Sequence, residues 1–225
     1  MKYCGIFFDF DYTLGDSTIP ITLGYQRGLA ALGWPQPAQE QVRPTIGMTL
    51  MDGYTMLTGD DHPQRRQAFY HHFQTAVGEQ AQGEDARIMV EQTHLLPGAV
   101  ELLQACKDQG RRVGIVSTKL GPTIQRIFRH QGLDHLLDFI IGGKDVSRYK
   151  PDPEGILVGL ERTGLEREQV LFCGDTVIDA QAAQNAGVDF CAVCNGTTPA
   201  EAFAAYPTVF VAEHLDDLRR WLEDK

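Results

Sequence analysis

Short, nearly continuous apolar runs alternate with amphipathic stretches along most of the chain. Runs that lack a polar face predict strands covered on both sides, and their alternation with helical patterns predicts β-α units around a parallel sheet. The predicted strands cover residues 3–8, 112–116, 139–142, 170–173, 188–194 and 208–212. One predicted helix opens at Pro97-Gly98 and stops before Gly110; another takes Asp152 as N-cap with Pro153 in its first turn, and ends near Gly164. A third spans 176–186 with Gly187 as its C-terminal cap, and the last covers 213–222. Residues 16–91 break the alternation, with helical periodicity at 21–32, 50–57 and 63–77 and no strand. Inserted after the first strand, such a module is expected at the carboxyl edge of the sheet, where open α/β sheets place ligands.

Composition narrows the class. With 225 residues the chain suits one domain carrying an insert, large enough to bury a core without disulfides. Hydrophobic residues at 43% and charged residues at 22% exclude wholesale disorder. The 30 acidic against 20 basic side chains, a net charge of -10, disfavour nucleic acid and membrane surfaces as partners. No apolar stretch approaches the ~18 residues of a membrane span, and Asp9 interrupts the N-terminus before a signal-peptide core is complete, so a cytoplasmic protein is expected. Five scattered cysteines read as reduced thiols. Cys191 and Cys194 have CxxC spacing but lie in a predicted strand, where residues three apart face opposite ways, so they read as packing groups.

The chemistry gathers at strand ends. The first strand runs into Asp9-Phe10-Asp11-Tyr12-Thr13-Leu14. Two carboxylates one residue apart at the end of an apolar strand are costly unless a cation or hydrogen bonds compensate them. Alone, that spacing is more often a turn or a cap. Its companions are Ser117-Thr118-Lys119 after the strand at 112–116, Lys150 before Pro151-Asp152-Pro153, and Gly174-Asp175-Thr176-Val177-Ile178-Asp179 after the strand at 170–173. Neighbouring parallel strands lie only ~4.8 Å apart, so these ends make one site. Lys119 continues the second motif but reads rather as a solvent-facing lysine, Asp16 as an acid after the first motif or a helix N-cap, and His71-His72 as surface or partly packed residues pointing about 100° apart on a helix.

In that order the four motifs resemble the haloacid dehalogenase superfamily of phosphohydrolases, and Leu96-Pro97-Gly98-Ala99-Val100-Glu101-Leu102-Leu103 resembles its lead-in to the second motif. The insert resembles the helical-cap branch, which includes phosphoglycolate phosphatase, pyrophosphatase and β-phosphoglucomutase. The resemblance implies an α/β fold: a Rossmann-like parallel sheet core flanked by helices, residues 1–15 plus 93–225, with an all-helical cap domain at 16–92. It implies that Asp9 is the nucleophile and Asp11 the general acid and base. Mg²⁺ would be held by Asp9, Asp175 and the backbone carbonyl of Asp11. Ser117 and the Thr118 N–H would hold phosphoryl oxygens, Lys150 would supply fixed positive charge, and Asp179 would orient Lys150 or a water on the metal. Cap selectivity is expected at Thr45, Gly47 and Met48.

The expected function is a Mg²⁺-dependent phosphatase acting on a small phosphorylated metabolite, of phosphoglycolate type or pyrophosphate, through an aspartyl phosphate. Asp11 argues against dehalogenation, since dehalogenases of this type lack the second acid. A phosphomutase is the alternative; Leu50 stands where β-phosphoglucomutase carries an arginine, with Arg43 nearby. A receiver-like phospho-switch fits less well, lacking the helical insert. No GxGxxG follows the first strand, which argues against a dinucleotide. Tyr12 departs from the family pattern by replacing its usual glycine. Oligomeric state is not legible.

Overall fold

The computed structural model describes residues 2–225. The chain runs through β1 (Gly5–Phe8) and the short β2 (Gly15–Asp16) into α1 (Thr18–Ala31), α2 (Gln39–Val42), α3 (Leu50–Thr58), α4 (Pro63–Ala76) and α5 (Asp85–Glu91). It returns through β3 (His94–Leu95) to α6 (Ala99–Asp108), β4 (Arg112–Val116), α7 (Gly121–His130), β5 (Phe139–Ile141) and α8 (Glu154–Thr163). The last elements are β6 (Val170–Gly174), α9 (Val177–Ala186), β7 (Asp189–Val193), β8 (Thr208–Ala212) and α10 (Leu215–Glu223). Residues 2–15 with 95–225 form one compact unit and residues 16–94 a second.

The first unit is a parallel sheet in the order β5-β4-β1-β6-β7-β8, an α/β Rossmann-like core. β1 is buried along its whole length, which is why its sequence Gly-Ile-Phe-Phe carries no polar face. Phe7, Ile156, Phe172, Phe190 and Phe203 belong to one apolar cluster of this unit. Register places the site. Phe8 faces Ile115 on β4 and Cys173 on β6, so the residues that follow on all three strands emerge at one sheet edge. The second unit is built on an aromatic cluster: the Tyr25 and Tyr54 rings lie 5.1 and 5.2 Å from that of Phe69. Its α1 opens where the Asp16 carboxylate accepts hydrogen bonds from the Thr18 N–H and hydroxyl, at 2.8 and 2.5 Å. Among the described residues no helix is long and apolar enough to cross a membrane.

Several local expectations are corrected. α7 was not expected: it begins at a glycine after Leu120, without a capping side chain, yet buries Ile124, Ile127 and Phe128 on one face. α2 and α5 are likewise additions in the region read as three helices, and the paired two-residue strands β2 and β3 stand at its two ends. Pro153, not Asp152, occupies the N-cap position of α8, although Asp152 still accepts from the Glu154 N–H at 3.0 Å. All five cysteines are free, and the strand that holds Cys191 ends at Val193, before Cys194.

Candidate active site

The Asp9 N–H donates to the Cys173 carbonyl at 2.9 Å, continuing the β1–β6 ladder one residue beyond the strand. The chain then wraps on itself: the Leu14 and Gly15 N–H groups both donate to the Phe10 carbonyl at 2.9 Å, and Tyr12 N–H donates to Gly15 O at 2.7 Å. That turn forces Tyr12 to φ 59°. A left-handed tyrosine costs roughly 1–2 kcal/mol relative to the ordinary region, which is why glycine suits this position. Tyr12 is nevertheless buried, at 3% exposure.

Three carboxylates meet at this edge. Asp9, Asp175 and Asp179 are all buried and offer oxygens within 4.8 Å of one another. Lys150 answers them. Its Nζ lies 3.0 Å from Asp9 Oδ1 and 2.5 Å from Asp179 Oδ1, over the Phe172 ring. Asp179 is engaged on both oxygens, because Oδ2 also accepts from the Thr176 N–H at 3.1 Å and the Thr176 hydroxyl at 2.6 Å. The acid that caps α9 therefore also holds the lysine. Burial pushes the Asp9 carboxyl up to about 6, against the pull of Lys150 and with a further push from Asp179. Burial, Asp179 and Asp9 drive Asp175 well above the carboxylate range. For Lys150, burial works against the charge, but Asp179 and Asp9 outweigh it and hold the ammonium above its ordinary value.

The second-motif loop is pinned from both sides. Ser117 N–H donates to Ile141 O at 3.0 Å and Gly143 N–H to Lys119 O at 3.0 Å. A Cβ on Gly142 would stand 2.1 Å from the Gly121 nitrogen, so only a bare backbone lets β5 approach this loop. The expectation that Lys119 faces solvent is overturned. Its side chain is 8% exposed, and Nζ lies 3.2 Å from each oxygen of Asp11, itself equally buried. Thr13, quoted in the first motif but given no role there, is fully buried and donates to Asp175 Oδ1 at 3.1 Å.

Asp9, Asp11, Ser117, Lys119, Lys150, Asp175 and Asp179 thus belong to the carboxyl edge of one sheet, with Thr118 between Ser117 and Lys119. Ser117 is buried, and its hydroxyl beside the Asp9 carboxylate pulls that carboxyl's pKa downward against the effect of burial. Thr45, Gly47 and Met48 lie in the helical unit. Thr45 is buried with its hydroxyl donating to Val42 O at 2.8 Å, Gly47 has φ 96°, and the Met48 N–H donates to Thr45 O at 3.1 Å.

A family model described as "Haloacid dehalogenase-like hydrolase" matches residues 6–193, a span that holds every one of these motifs. The chain belongs to that family. This haloacid dehalogenase-like hydrolase has curated relatives named as pyrophosphatases and phosphoglycolate phosphatases. It is 27% identical over 226 residues to pyrophosphatase PpaX of Listeria innocua, covering 100% of this chain and 98% of the relative. It is 28% identical to phosphoglycolate phosphatase 1 of Pseudomonas aeruginosa, covering 95% of this chain and 77% of that one. A solved haloacid dehalogenase-like hydrolase of Bacteroides fragilis superposes with a TM-score of 0.88 at 36% identity, over 96% of this chain and 100% of the other.

Proposed function

We propose that this hydrolase is a Mg²⁺-dependent phosphatase of small phosphorylated metabolites that carries the phosphoryl group on Asp9. The observation behind this reading is the buried Asp9 carboxylate, pressed against Lys150 beside Asp175, with a second acid, Asp11, two residues on. Pyrophosphate and phosphoglycolate-type monoesters are the leading substrates, from the relatives' names.

The donor set suits a hard divalent cation. Of the three buried carboxylates Lys150 pairs with two, Asp9 and Asp179, the cluster's ligand atoms are all oxygens, and Asp9 Oδ1, although paired with Lys150, is buried with no donor aimed along a hydrogen bond. Asp179 has both oxygens engaged, which fits the ligand set the family resemblance implies: Asp9, Asp175 and the Asp11 backbone carbonyl. When bound, Mg²⁺ supplies charge neutralisation for the phosphoryl oxygens and relieves the repulsion among the acids.

The chain's own residues then divide the reaction. An Asp9 oxygen attacks phosphorus in line as the bond to the leaving oxygen breaks, and Asp11 gives that oxygen a proton. Asp11 next takes a proton from the water that cleaves the aspartyl phosphate. The Ser117 hydroxyl and Thr118 N–H hold the phosphoryl oxygens, while Lys150, fixed by Asp179, stabilises charge that grows in the transition state. Substrate selection is assigned to the helical unit, at Thr45, Gly47 and Met48, because the four motifs that carry the chemistry all lie in the α/β unit. The test is phosphate release by purified protein across a panel of phosphomonoesters and pyrophosphate, with Mg²⁺ and with EDTA. Turnover of at least one compound is expected with Mg²⁺ alone. No turnover, or turnover indifferent to EDTA, refutes the reading.

A further inference from the structure

The loop after β7 passes Asp175 more closely than any side chain would permit. Gly174 is paired with Ala192 in the β6–β7 register, so Asp175 leaves its strand beside the segment 193–196. The start of that segment is fixed from the far side, where Cys194 N–H donates to Ala212 O of β8 at 2.9 Å. A Cβ built on Gly196 would stand 2.0 Å from Asp175 Oδ2, 3.0 Å from its Cγ and 3.3 Å from its Cβ. Gly196 is not among the glycines with positive φ, so its backbone conformation is open to any residue. A side chain at 196 therefore needs the space that the Asp175 carboxylate fills.

We propose that Gly196 is a positioning residue for Asp175, and through it for the Mg²⁺ site; this rests on the reading of Asp175 as a ligand. The carboxylate is held in a vice. Thr13 Oγ1 grips Oδ1 at 3.1 Å, and the bare backbone of Gly196 stands against Oδ2. An alanine at 196 meets the free end of a side chain before it meets any backbone atom of Asp175. The cheapest relief is therefore rotation of the carboxylate away from both contacts, at little cost to the strands behind it. Groups that orient a metal ligand commonly govern affinity by roughly 10–100-fold, and Gly196 does so by leaving room.

The test uses the full-length protein with Gly196→Ala and Asp175→Asn beside wild type. Mg²⁺ binding is followed by calorimetry and by the Mg²⁺-dependent rise in melting temperature. For Gly196→Ala the half-saturating Mg²⁺ concentration should rise roughly 10–100-fold, while the melting temperature in EDTA stays within about 4 °C of wild type. Wild-type Mg²⁺ affinity in Gly196→Ala, lost in Asp175→Asn, overturns the role of Gly196 and leaves the metal site standing. A wild-type protein that responds to Mg²⁺ no better than Asp175→Asn overturns the metal reading and this inference with it. If Gly196→Ala folds poorly, the double variant with Asp175→Ala decides, since removing the collision partner should restore the fold. A double variant as unstable as Gly196→Ala refutes the steric argument.

Discussion

Replacing Lys150 with methionine keeps a side chain of similar length and removes the only cation within ion-pair distance of Asp9 and Asp179 among the described residues. The carboxylates are then left buried and uncompensated, a change that costs about 3–5 kcal/mol in comparable buried pairs. Asp9 contributes to the pH dependence alongside Asp175, whose carboxyl burial also raises. Burial already raises the Asp9 carboxyl from 3.8 to about 6 with Lys150 in place. A carboxyl raised on folding binds its proton more tightly in the folded state. Its penalty is therefore absent below about pH 4 and fully present above about pH 6, where it amounts to about 3 kcal/mol at about 1.4 kcal/mol per pH unit. Lys150→Met deepens that same penalty. In EDTA at pH 7.5 the variant should melt roughly 6–20 °C below wild type, taking 2–4 °C per kcal/mol for a chain of this size. At pH 5, where Asp9 is largely protonated in the folded state, the gap should shrink by at least half. Thermal denaturation of both proteins at the two pH values measures this. A gap that is the same at pH 5 and pH 7.5, or no gap at all, would refute the argument that Lys150 compensates these acids.

Asp9→Asn should abolish phosphate release in a folded protein, since an amide is no anionic nucleophile; a rate above about a tenth of wild type would remove Asp9 from that role. Lys119→Met should release the Asp11 carboxylate it grips, slowing turnover of an alkyl phosphate by ~10²-fold or more. The first-turnover release of p-nitrophenol from p-nitrophenyl phosphate should slow far less, because that leaving group needs no proton; a release slowed as much as alkyl phosphate turnover would speak against positioning of the acid. Met48→Trp should change kcat/KM unevenly across the substrate panel, and an unaltered profile would take substrate selection out of that stretch.

What the sequence determined by itself is what a few consecutive residues encode. β1, β4, β6 and β8 are legible because unbroken apolar runs of four or five residues have few alternatives in a chain of this composition. Asp9, Ser117 and Asp175 are legible because each closely follows such a run, and polar groups at the end of an apolar strand require an explanation, while Lys150 is legible from the prolines after it and its place in the motif order. Motif order then carried the resemblance to the family. Other features waited for the tertiary structure. Lys119 reads as a surface lysine until strand order sets β4 beside β1 and brings Asp11 to it across 108 residues of chain. Thr13 meets Asp175 across 162 residues, and Gly196 differs from any loop glycine only because β7 lies next to β6. α7 lacks a polar cap, and its inward stripe of Ile124, Ile127 and Phe128 needs the sheet before it means anything. Periodicity is a property of neighbours in sequence, whereas burial, ion pairing and steric room depend on which distant strand folds alongside.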